Sequence, residues 1–303
     1  MTRAWRRLRR AARAGHEVLM ESDEEREPAT RQTPGQTLDN AMAVVSGKGG
    51  VGKTNLVANL AVAAAALDAR VLAVDGDLGL ANLDVLLGLL PRASVADLLS
   101  GEATLDDILV EGPRGLDLLP AHAGSQRLAA PDPLELEALV AAIGAVAPRY
   151  DLVLMDAGAG VGSSVVRLCG ACRRLVLVTN PEPTSLADAY GVLKVLTGDP
   201  HAARPHIDVL VNEVDDARDA RDTYVALLEL SRRFLGVEPG YLGHLPRDAR
   251  LGEAVHAQRA VVELHPASAS ARRLIELAHR LLRETRAGRV GASQPEAQHA
   301  TRD

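Results

Sequence analysis

The stretch VVSGKGGVGKTNLVANLAV, residues 44–62, decides the fold of this chain. It joins a short apolar run, a glycine-rich turn and a helical pattern, and residues 47–54 fit G-x-x-x-x-G-K-[ST]. This motif is typical of a phosphate-binding loop when a strand precedes it and a helix follows. The sequence therefore predicts backbone N–H groups and a helix N-terminus around phosphate oxygens, with Lys53 on the β and γ phosphates and Thr54 on Mg²⁺.

Short apolar runs alternate with helical patterns along most of the remaining chain. Nearly continuous apolar runs are typical of strands covered on both faces, and this alternation implies parallel strands with right-handed crossovers. We predict an α/β fold with a single doubly wound, mainly parallel sheet flanked by helices, in one domain over residues 40–287. The predicted strands are 41–46, 70–75, 115–120, 151–156, 174–180, 207–212 and 240–246, and the main helices 53–66, 133–147, 184–197, 219–235 and 268–286.

Composition argues against several classes of function. Aromatic residues make up 2 % of the chain, too few for a platform that stacks single-stranded nucleic acid. The net charge of −6 gives no overall basic field toward nucleic acid, which we do not expect as a partner. No apolar run approaches the length of a membrane span, and two cysteines do not form a disulfide scaffold. We expect a cytoplasmic protein.

The two ends differ from the middle. Residues 1–39 are first basic and then acidic, and we predict an extension that is disordered or not translated, with Met20 as the alternative start to Met1. A basic amphipathic helix on anionic lipid and an organellar targeting peptide are the other interpretations of the first 20 residues. Residues 288–303 are predicted to be a disordered polar tail.

Three carboxylates follow predicted strands. Asp75 and Asp77 are two residues apart at a strand end and so share a face, while Asp156 follows another strand at the Walker B position. A single aspartate at a strand end is more often a helix N-cap. In such sheets, ligands bind at the carboxyl ends of the strands. Three carboxylates at this edge, beside a phosphate loop, therefore favour a catalytic site.

The form KGGVGKT, with Lys48 directly after the first glycine, resembles the deviant Walker A ATPases of the MinD/ParA/nitrogenase-iron-protein group. The resemblance extends over residues 40–286. Residues 77–89, 94–121, 179–194 and 241–274 are similar to the FlhG family, also called FleN or YlxH, of MinD-like ATPases that control the number and placement of bacterial flagella.

The resemblance implies roles for individual residues. Lys48 would cross an ATP-bound, face-to-face homodimer and touch the phosphates of the partner subunit, and Asp77 would polarise the attacking water. Catalytic roles are thus expected for Lys48, Lys53 and Asp77, and Mg²⁺ contacts for Thr54, Asp75 and Asp156. The expected nucleotide-binding residues are Gly47, Lys48, Gly49, Gly50, Val51, Gly52, Lys53, Thr54, Asn55, Asn212, Pro246 and Asp248, the last three around the adenine base.

The resemblance also implies an activity and partners. It predicts slow, Mg²⁺-dependent hydrolysis of ATP to ADP and phosphate by a dimerising switch. The flagellar GTPase FlhF or flagellar assembly proteins would be its partners, and it would contact the inner face of the cell membrane peripherally. The family's N-terminal D-Q-A-x-x-L-R motif is missing from TPGQTLDNAM, residues 33–42, which puts the coupling to FlhF in doubt. The apolar stripe of the last helix fits core packing better than a bilayer.

Two other functions remain open. One is a ParA-like partition ATPase that binds nonspecific DNA through Arg272, Arg273, Arg280 and Arg283. The other is a nucleotide-gated iron–sulfur carrier using the C-x-x-C pair, Cys169 and Cys172, although buried structural thiols are the favoured interpretation.

Overall fold

The computed structural model of the chain describes residues 37–121, 131–198 and 205–292, with side chains up to residue 287. The predictions for residues 1–36 and 293–303, including the choice of start, lie outside the described residues. The first strand begins at Leu38, two residues before the predicted domain boundary, and the last helix extends to Ala292.

A single sheet of eight strands runs through the described residues in the order β3-β4-β2-β5-β1-β6-β7-β8. All pairs are parallel except β3 with β4, which confirms the doubly wound, mainly parallel α/β sheet. The seven predicted strands are all present, and the unpredicted β3 has only two residues. The strands are β1 Leu38–Ser46, β2 Val71–Asp75, β3 Val110–Glu111, β4 Asp117–Leu119, β5 Leu152–Ala159, β6 Cys172–Thr179, β7 His206–Val214 and β8 Gly240–Pro246.

The five main predicted helices are confirmed, and shorter ones accompany them. Most of the additional helices span no more than two turns, too few for a period of 3.6 to show in the sequence. Local signals mark some of them, such as the capping box of Ser94 and Asp97. The helices are α1 Lys53–Ala65, α2 Leu83–Leu87, α3 Val95–Ser100, α4 Leu105–Ile108, α5 Pro133–Val146, α6 Ser163–Gly170, α7 Pro183–Thr197, α8 Ala217–Leu235, α9 Ala249–His256, α10 Val261–Leu264 and α11 Ala269–Ala292.

Helices cover both faces of the sheet and form two apolar cores. One core lies under α5, α6, α7 and α8, and the other under α1, α9, α10 and α11. The stripe of α11 belongs to the second core, where Leu274, Leu277, Leu281 and Leu282 are buried. This burial confirms that α11 is a core-packed helix, so its apolar face is not available to a bilayer. Within the described parts of the chain, no helix combines the length and apolar character that crossing a membrane requires.

The sheet brings the predicted site residues to one edge. Asp75, the last residue of β2, is the register partner of Asp156, which lies three residues before the end of the adjacent strand β5. Ser46, the last residue of β1, pairs with both neighbouring strands just before the glycine-rich loop begins. Parallel strands direct their carboxyl ends to the same edge, and the fold therefore gathers the loop and both carboxylates there.

Candidate active site

The glycine-rich loop, residues 47–52, is fastened to the end of β7. The side-chain amide of Asn212 donates a hydrogen bond of 2.8 Å to the Val51 carbonyl. Gly52 has φ 84°, and a Cβ on it would lie 2.3 Å from Nδ2 of Asn212. Only glycine fits this position, because another residue would be strained and would push Asn212 off the loop.

Gly47, the first glycine of the motif, must be glycine for a different reason. A Cβ on Gly47 would lie 2.2 Å from the carbonyl carbon of Asp188 in α7, so this glycine permits close approach of a helix. Sequence reasoning assigned Gly47 to phosphate binding only. The contact joins residues 141 positions apart, and no local pattern could have shown it.

Lys53, the first residue of α1, forms a buried ion pair with Asp156 on β5. Asp156 is fully buried, and its Oδ2 has no hydrogen-bond partner among the described residues. An unsatisfied buried carboxylate oxygen is costly, and such an oxygen favours a bound water or cation. The predicted phosphate lysine and the predicted Walker B carboxylate are thus in direct contact.

Asp75 is buried and holds the segment that follows β2. Its Oδ1 accepts from the Asp77 amide at 3.2 Å, and its Oδ2 accepts from the amides of Asn82 and Leu83 at 2.9 and 3.0 Å. Burial raises the pKa of Asp75 to about 7, and the nearby charge of Asp156 also raises it. A carboxylate offers about four acceptor positions, so three hydrogen bonds leave little of Asp75 for a metal.

Asp77 lies in the loop between β2 and α2. Its Oδ1 accepts from the Leu80 amide at 3.2 Å. Its carboxylate would be 3.7 Å from a Cβ on Gly158, which follows Asp156 on β5. The Gly76 amide donates to the Asp156 carbonyl at 2.8 Å, which fixes the Asp77 loop to the Walker B strand. The structure therefore places Asp77 beside the Lys53–Asp156 pair.

Lys48 is held within its own subunit. Its ammonium pairs with the carboxylate of Glu182 and donates to the Thr184 hydroxyl at 3.2 Å. Glu182 stands at the N-terminus of α7, directly before Pro183, and makes no side-chain capping hydrogen bond there.

The residues predicted to surround the base, Asn212, Pro246 and Asp248, lie on β7, at the end of β8 and just before α9. Oδ1 of Asn212 is buried without a hydrogen-bond partner in the described structure. Asp248, in contrast, caps α9 by accepting from the Arg250 amide, and it accepts from the Ser270 amide of α11, both at 3.0 Å. Partial burial by itself would raise the pKa of Asp248. The hydrogen bonds outweigh this effect, so the pKa of Asp248 lies below its ordinary value. A recess of about 730 Å³ adjoins this turn, lined by Arg247, Asp248, Ala249, Arg250, His265, Pro266, Ala267, Ser268 and Ala269.

The remaining residues that were predicted to contact the nucleotide lie on α1, at the end of β8 and in the glycine-rich loop. Thr54 and Asn55 occupy the first turn of α1, directly after Lys53, and are partly buried. The Asn55 carbonyl accepts from the Asn59 amide side chain at 2.8 Å. Pro246 ends β8, and its carbonyl accepts from the Ser270 hydroxyl at 3.3 Å. Gly49 and Gly50 are the exposed tip of the loop.

The cysteine pair lies in the core under α6. Cys169 is on α6, but Cys172 begins β6, so the prediction that both occupy a helix was wrong. Both thiols are buried and free, and burial raises the pKa of Cys169 to about 12 and that of Cys172 further above its ordinary value. Metal clusters bind thiolates, so these surroundings oppose cluster binding.

Three of the four arginines of α11 that the DNA-binding alternative needs are engaged within the chain. Arg273 pairs with Glu276, Arg280 pairs with Glu284, and Arg272 donates to the Ala267 carbonyl. No group of three or more histidine, cysteine or acidic side chains that could hold a metal occurs among the residues that the structure describes. A cation at Asp156 would therefore share its coordination with water or phosphate oxygens.

Residues 42–261 match the family described as the CobQ/CobB/MinD/ParA nucleotide binding domain. Antiactivator FleN of Pseudomonas aeruginosa is 41 % identical over 75 % of this chain and 80 % of its own length. The flagellum site-determining protein YlxH of Helicobacter pylori is 32 % identical over 74 % of this chain and 76 % of its own. The septum site-determining protein MinD of Pyrococcus horikoshii, solved with Mg-ADP, superposes with a TM-score of 0.68 at 28 % identity, covering 80 % of this chain and 95 % of that one.

Proposed function

Because the chain belongs to the CobQ/CobB/MinD/ParA family of nucleotide-binding domains, we propose that it is a MinD-like ATPase that regulates flagellar number or placement. Its reaction is the hydrolysis of ATP to ADP and phosphate. The flagellar role is supported by the similarity to FleN and to the flagellum site-determining protein YlxH. The partners we propose, besides a second copy of the chain, are the flagellar GTPase FlhF or flagellar assembly proteins, and we propose that the protein meets them in the cytoplasm.

The contact of Lys53 with Asp156, whose second oxygen has no partner among the described residues, carries the proposal. Without nucleotide, each group neutralises the other in a buried place. An ATP phosphate would bind the Lys53 ammonium, and a cation would occupy the place of that ammonium at Asp156. Thr54 and Asp156 would hold Mg²⁺, in agreement with the Mg-ADP of the Pyrococcus horikoshii protein. Mg²⁺ would supply neutralisation of the charge on the phosphates.

Asp77 suits the task of orienting the attacking water. Its loop is fixed to β5 by the Gly76 amide, and its carboxylate lies near Gly158, two residues after Asp156 on β5. Phosphoryl transfer depends chiefly on positioning and charge stabilisation, so one carboxylate that orients water is sufficient. Asp75 supports this arrangement by holding the backbone around Asp77.

Asn212 would recognise the adenine base. Its Nδ2 is committed to the Val51 carbonyl, which leaves Oδ1 as the unused end of the amide. An acceptor at this place suits the exocyclic amino group of adenine and repels the carbonyl oxygen of guanine. Pro246 and Asp248 would shape the far side of the pocket from the turn before α9.

Lys48 would act across a homodimer. Within the subunit it only forms an ion pair with Glu182, whose side chain is 60 % exposed while that of Lys48 is 30 % exposed. Exposed ion pairs contribute about 1 kcal/mol or less, so this pair opens easily. Once released, the ammonium would stabilise charge on the phosphoryl group bound to the partner subunit, and hydrolysis would depend on dimerisation.

Light scattering with ADP and with ATP measures the molecular mass of the protein in solution, and a phosphate-release assay measures hydrolysis. Wild type, Asp77→Ala, Lys48→Ala and the control Lys194→Ala are compared. We expect an ATP-only dimer that Asp77→Ala prolongs, no hydrolysis by Lys48→Ala, and wild-type behaviour of Lys194→Ala. A mass independent of nucleotide would contradict the switch.

A membrane contact through the stripe of α11 is not part of the proposal, because that stripe is buried. No observation favours the DNA-binding or iron–sulfur alternatives, given the engaged arginines and the buried thiols.

A further inference from the structure

Asn180 joins two parts of the site that the mechanism treats separately. It follows β6, and its side chain is buried. Its Nδ2 donates to the Glu213 carboxylate at 3.3 Å, and its Oδ1 accepts from the Glu182 amide at 3.3 Å. Glu213 follows Asn212 at the end of β7, while Glu182 holds Lys48. One amide side chain therefore bridges the predicted base pocket and the turn that retains Lys48.

The Glu213 end of the bridge is strained. Glu213 has φ 56°, in the left-handed region that residues other than glycine rarely adopt. Two hydrogen bonds from Arg247 hold the Glu213 backbone in this conformation. The Arg247 guanidinium donates to the Glu213 carbonyl at 3.4 Å, and the Arg247 backbone amide donates to the Val214 carbonyl at 2.9 Å. Backbone strain of this kind concentrates at ligand clamps and switch segments.

The Glu182 end of the bridge is weakly held. The Glu182 carboxylate and the Thr184 hydroxyl contact the glycine-rich loop through Lys48, and the Lys48–Glu182 pair is partly exposed to solvent. The backbone amide of Asn180 donates to the Ser185 hydroxyl at 3.2 Å, which links Asn180 to the first turn of α7. Asn180 is therefore hydrogen-bonded on both sides of Thr184, to the Glu182 amide and to Ser185, in the segment that carries the two acceptors of Lys48.

We propose that Asn180 is a positioning residue that couples occupation of the base pocket at Asn212 to the release of Lys48 from Glu182. The proposal rests on the nucleotide-binding function proposed above. A base bound at Asn212 shifts the strained Glu213 backbone, Asn180 follows the Glu213 carboxylate, and the turn of residues 181–184 withdraws from Lys48. The phosphates alone do not make this movement, so the base controls whether Lys48 is available to a partner.

The chain has three lysines, Lys48, Lys53 and Lys194, which makes lysine acylation a direct measure of this release. The acylation rate of Lys48 is followed by mass spectrometry with Mg-pyrophosphate and with Mg-ADP, and Lys194 serves as the internal reference. Both probes are used at a protein concentration where light scattering shows monomer, so that no partner subunit covers Lys48. Calorimetry in the same buffer establishes that ADP is bound.

Substitutions separate the bridge from general folding. Asn180→Asp keeps the acceptor for the Glu182 amide but sets a second carboxylate against Glu213. Asn180→Asp combined with Glu213→Gln restores the bridge with the donor reversed, since the new amide donates to the new carboxylate. Glu213→Ala removes the partner without altering Asn180, and it serves if Asn180→Asp does not fold.

We expect ADP to raise Lys48 acylation at least threefold over pyrophosphate in the wild type and in the double variant, and not in Asn180→Asp or Glu213→Ala. A merely structural role for Asn180 would not make the effect depend on the base. An ADP effect that persists in Asn180→Asp, or that the double variant does not restore, would overturn the role of Asn180. Equal rates with both probes in wild type that binds ADP would overturn the coupling alone, whereas absence of ADP binding would overturn the proposed function.

Discussion

The ammonium of Lys53 and the carboxylate of Asp156 form a buried ion pair although 103 residues separate them in the chain. The pair connects the residue that follows the glycine-rich loop to the Walker B strand. Each buried charge is neutralised by the other. The pair therefore affects the stability of the protein as well as nucleotide binding.

Asp156→Ala should lower the free energy of unfolding by about 3 kcal/mol, because it leaves the Lys53 charge buried and unpaired. Urea denaturation without nucleotide measures this change. Asp106→Ala, which removes an exposed ion pair with Arg149, is the control and should leave the midpoint unchanged. Equal midpoints for both variants would mean that the buried pair contributes nothing to the fold.

Gly52→Ala should weaken ADP binding at least tenfold. The added Cβ would lie 2.3 Å from Nδ2 of Asn212, and φ 84° disfavours alanine, so the loop and Asn212 must separate. Calorimetric titration with ADP is the measurement. Gly191→Ala in α7 is the matched control, because an added Cβ there would meet no other described part of the chain beyond its own helix, and it should bind ADP normally. The prediction fails if Gly52→Ala retains wild-type affinity.

The stability of the protein should fall as pH rises from 5 to 8 through the pKa of Asp75, about 7 in the folded state. A carboxyl pKa raised by burial means that the folded protein binds more protons than the unfolded chain between pH 4 and pH 7. Its contribution is therefore complete below pH 4 and is lost as pH rises through about 7, a change of about 4 kcal/mol over the whole range.

Urea denaturation at several pH values, without nucleotide or Mg²⁺, tests the Asp75 prediction. Asp75→Asn has no titrating group at this position and should lose most of the slope. A wild-type slope identical to that of Asp75→Asn would assign the pH dependence to other groups.

Leu281→Ala should destabilise the protein by about 3 kcal/mol, because Leu281 is fully buried in the core between α11 and the sheet. His279→Ala, on the exposed side of the same helix, should change the stability little. Thermal unfolding of both variants distinguishes the core-packed helix from one whose apolar face is free for lipid. Similar melting temperatures for Leu281→Ala and wild type would contradict the packing.

The sequence was most informative where neighbouring residues decide the structure. The run before the glycine-rich loop, the glycines and the pattern of α1 predicted a strand, a phosphate loop and a helix, because each is determined over a few residues. Aspartates at strand ends were predicted to meet, since parallel strands direct their carboxyl ends to one edge. Asp75 and Asp156 do lie opposite each other in the register of β2 and β5.

Sequence reasoning did not reach contacts with partners far along the chain. The acceptor of Lys48 is Glu182, 134 residues away, and the helix that requires Gly47 to be glycine begins at Pro183. The hydrogen bond of Asp248 to the Ser270 amide of α11 likewise joins distant parts of the chain. A local pattern does not specify which of several polar groups a side chain will meet.

The sequence by itself thus determined the order of strands and helices, the phosphate loop and the carboxylates at the strand ends, because these follow from local periodicity and backbone geometry. Only the tertiary structure decided that Lys48 rests on Glu182, that Asn212 fastens the loop and that Asn180 connects them. Such contacts arise when separate strands are brought side by side, and their geometry is fixed by packing across the whole sheet.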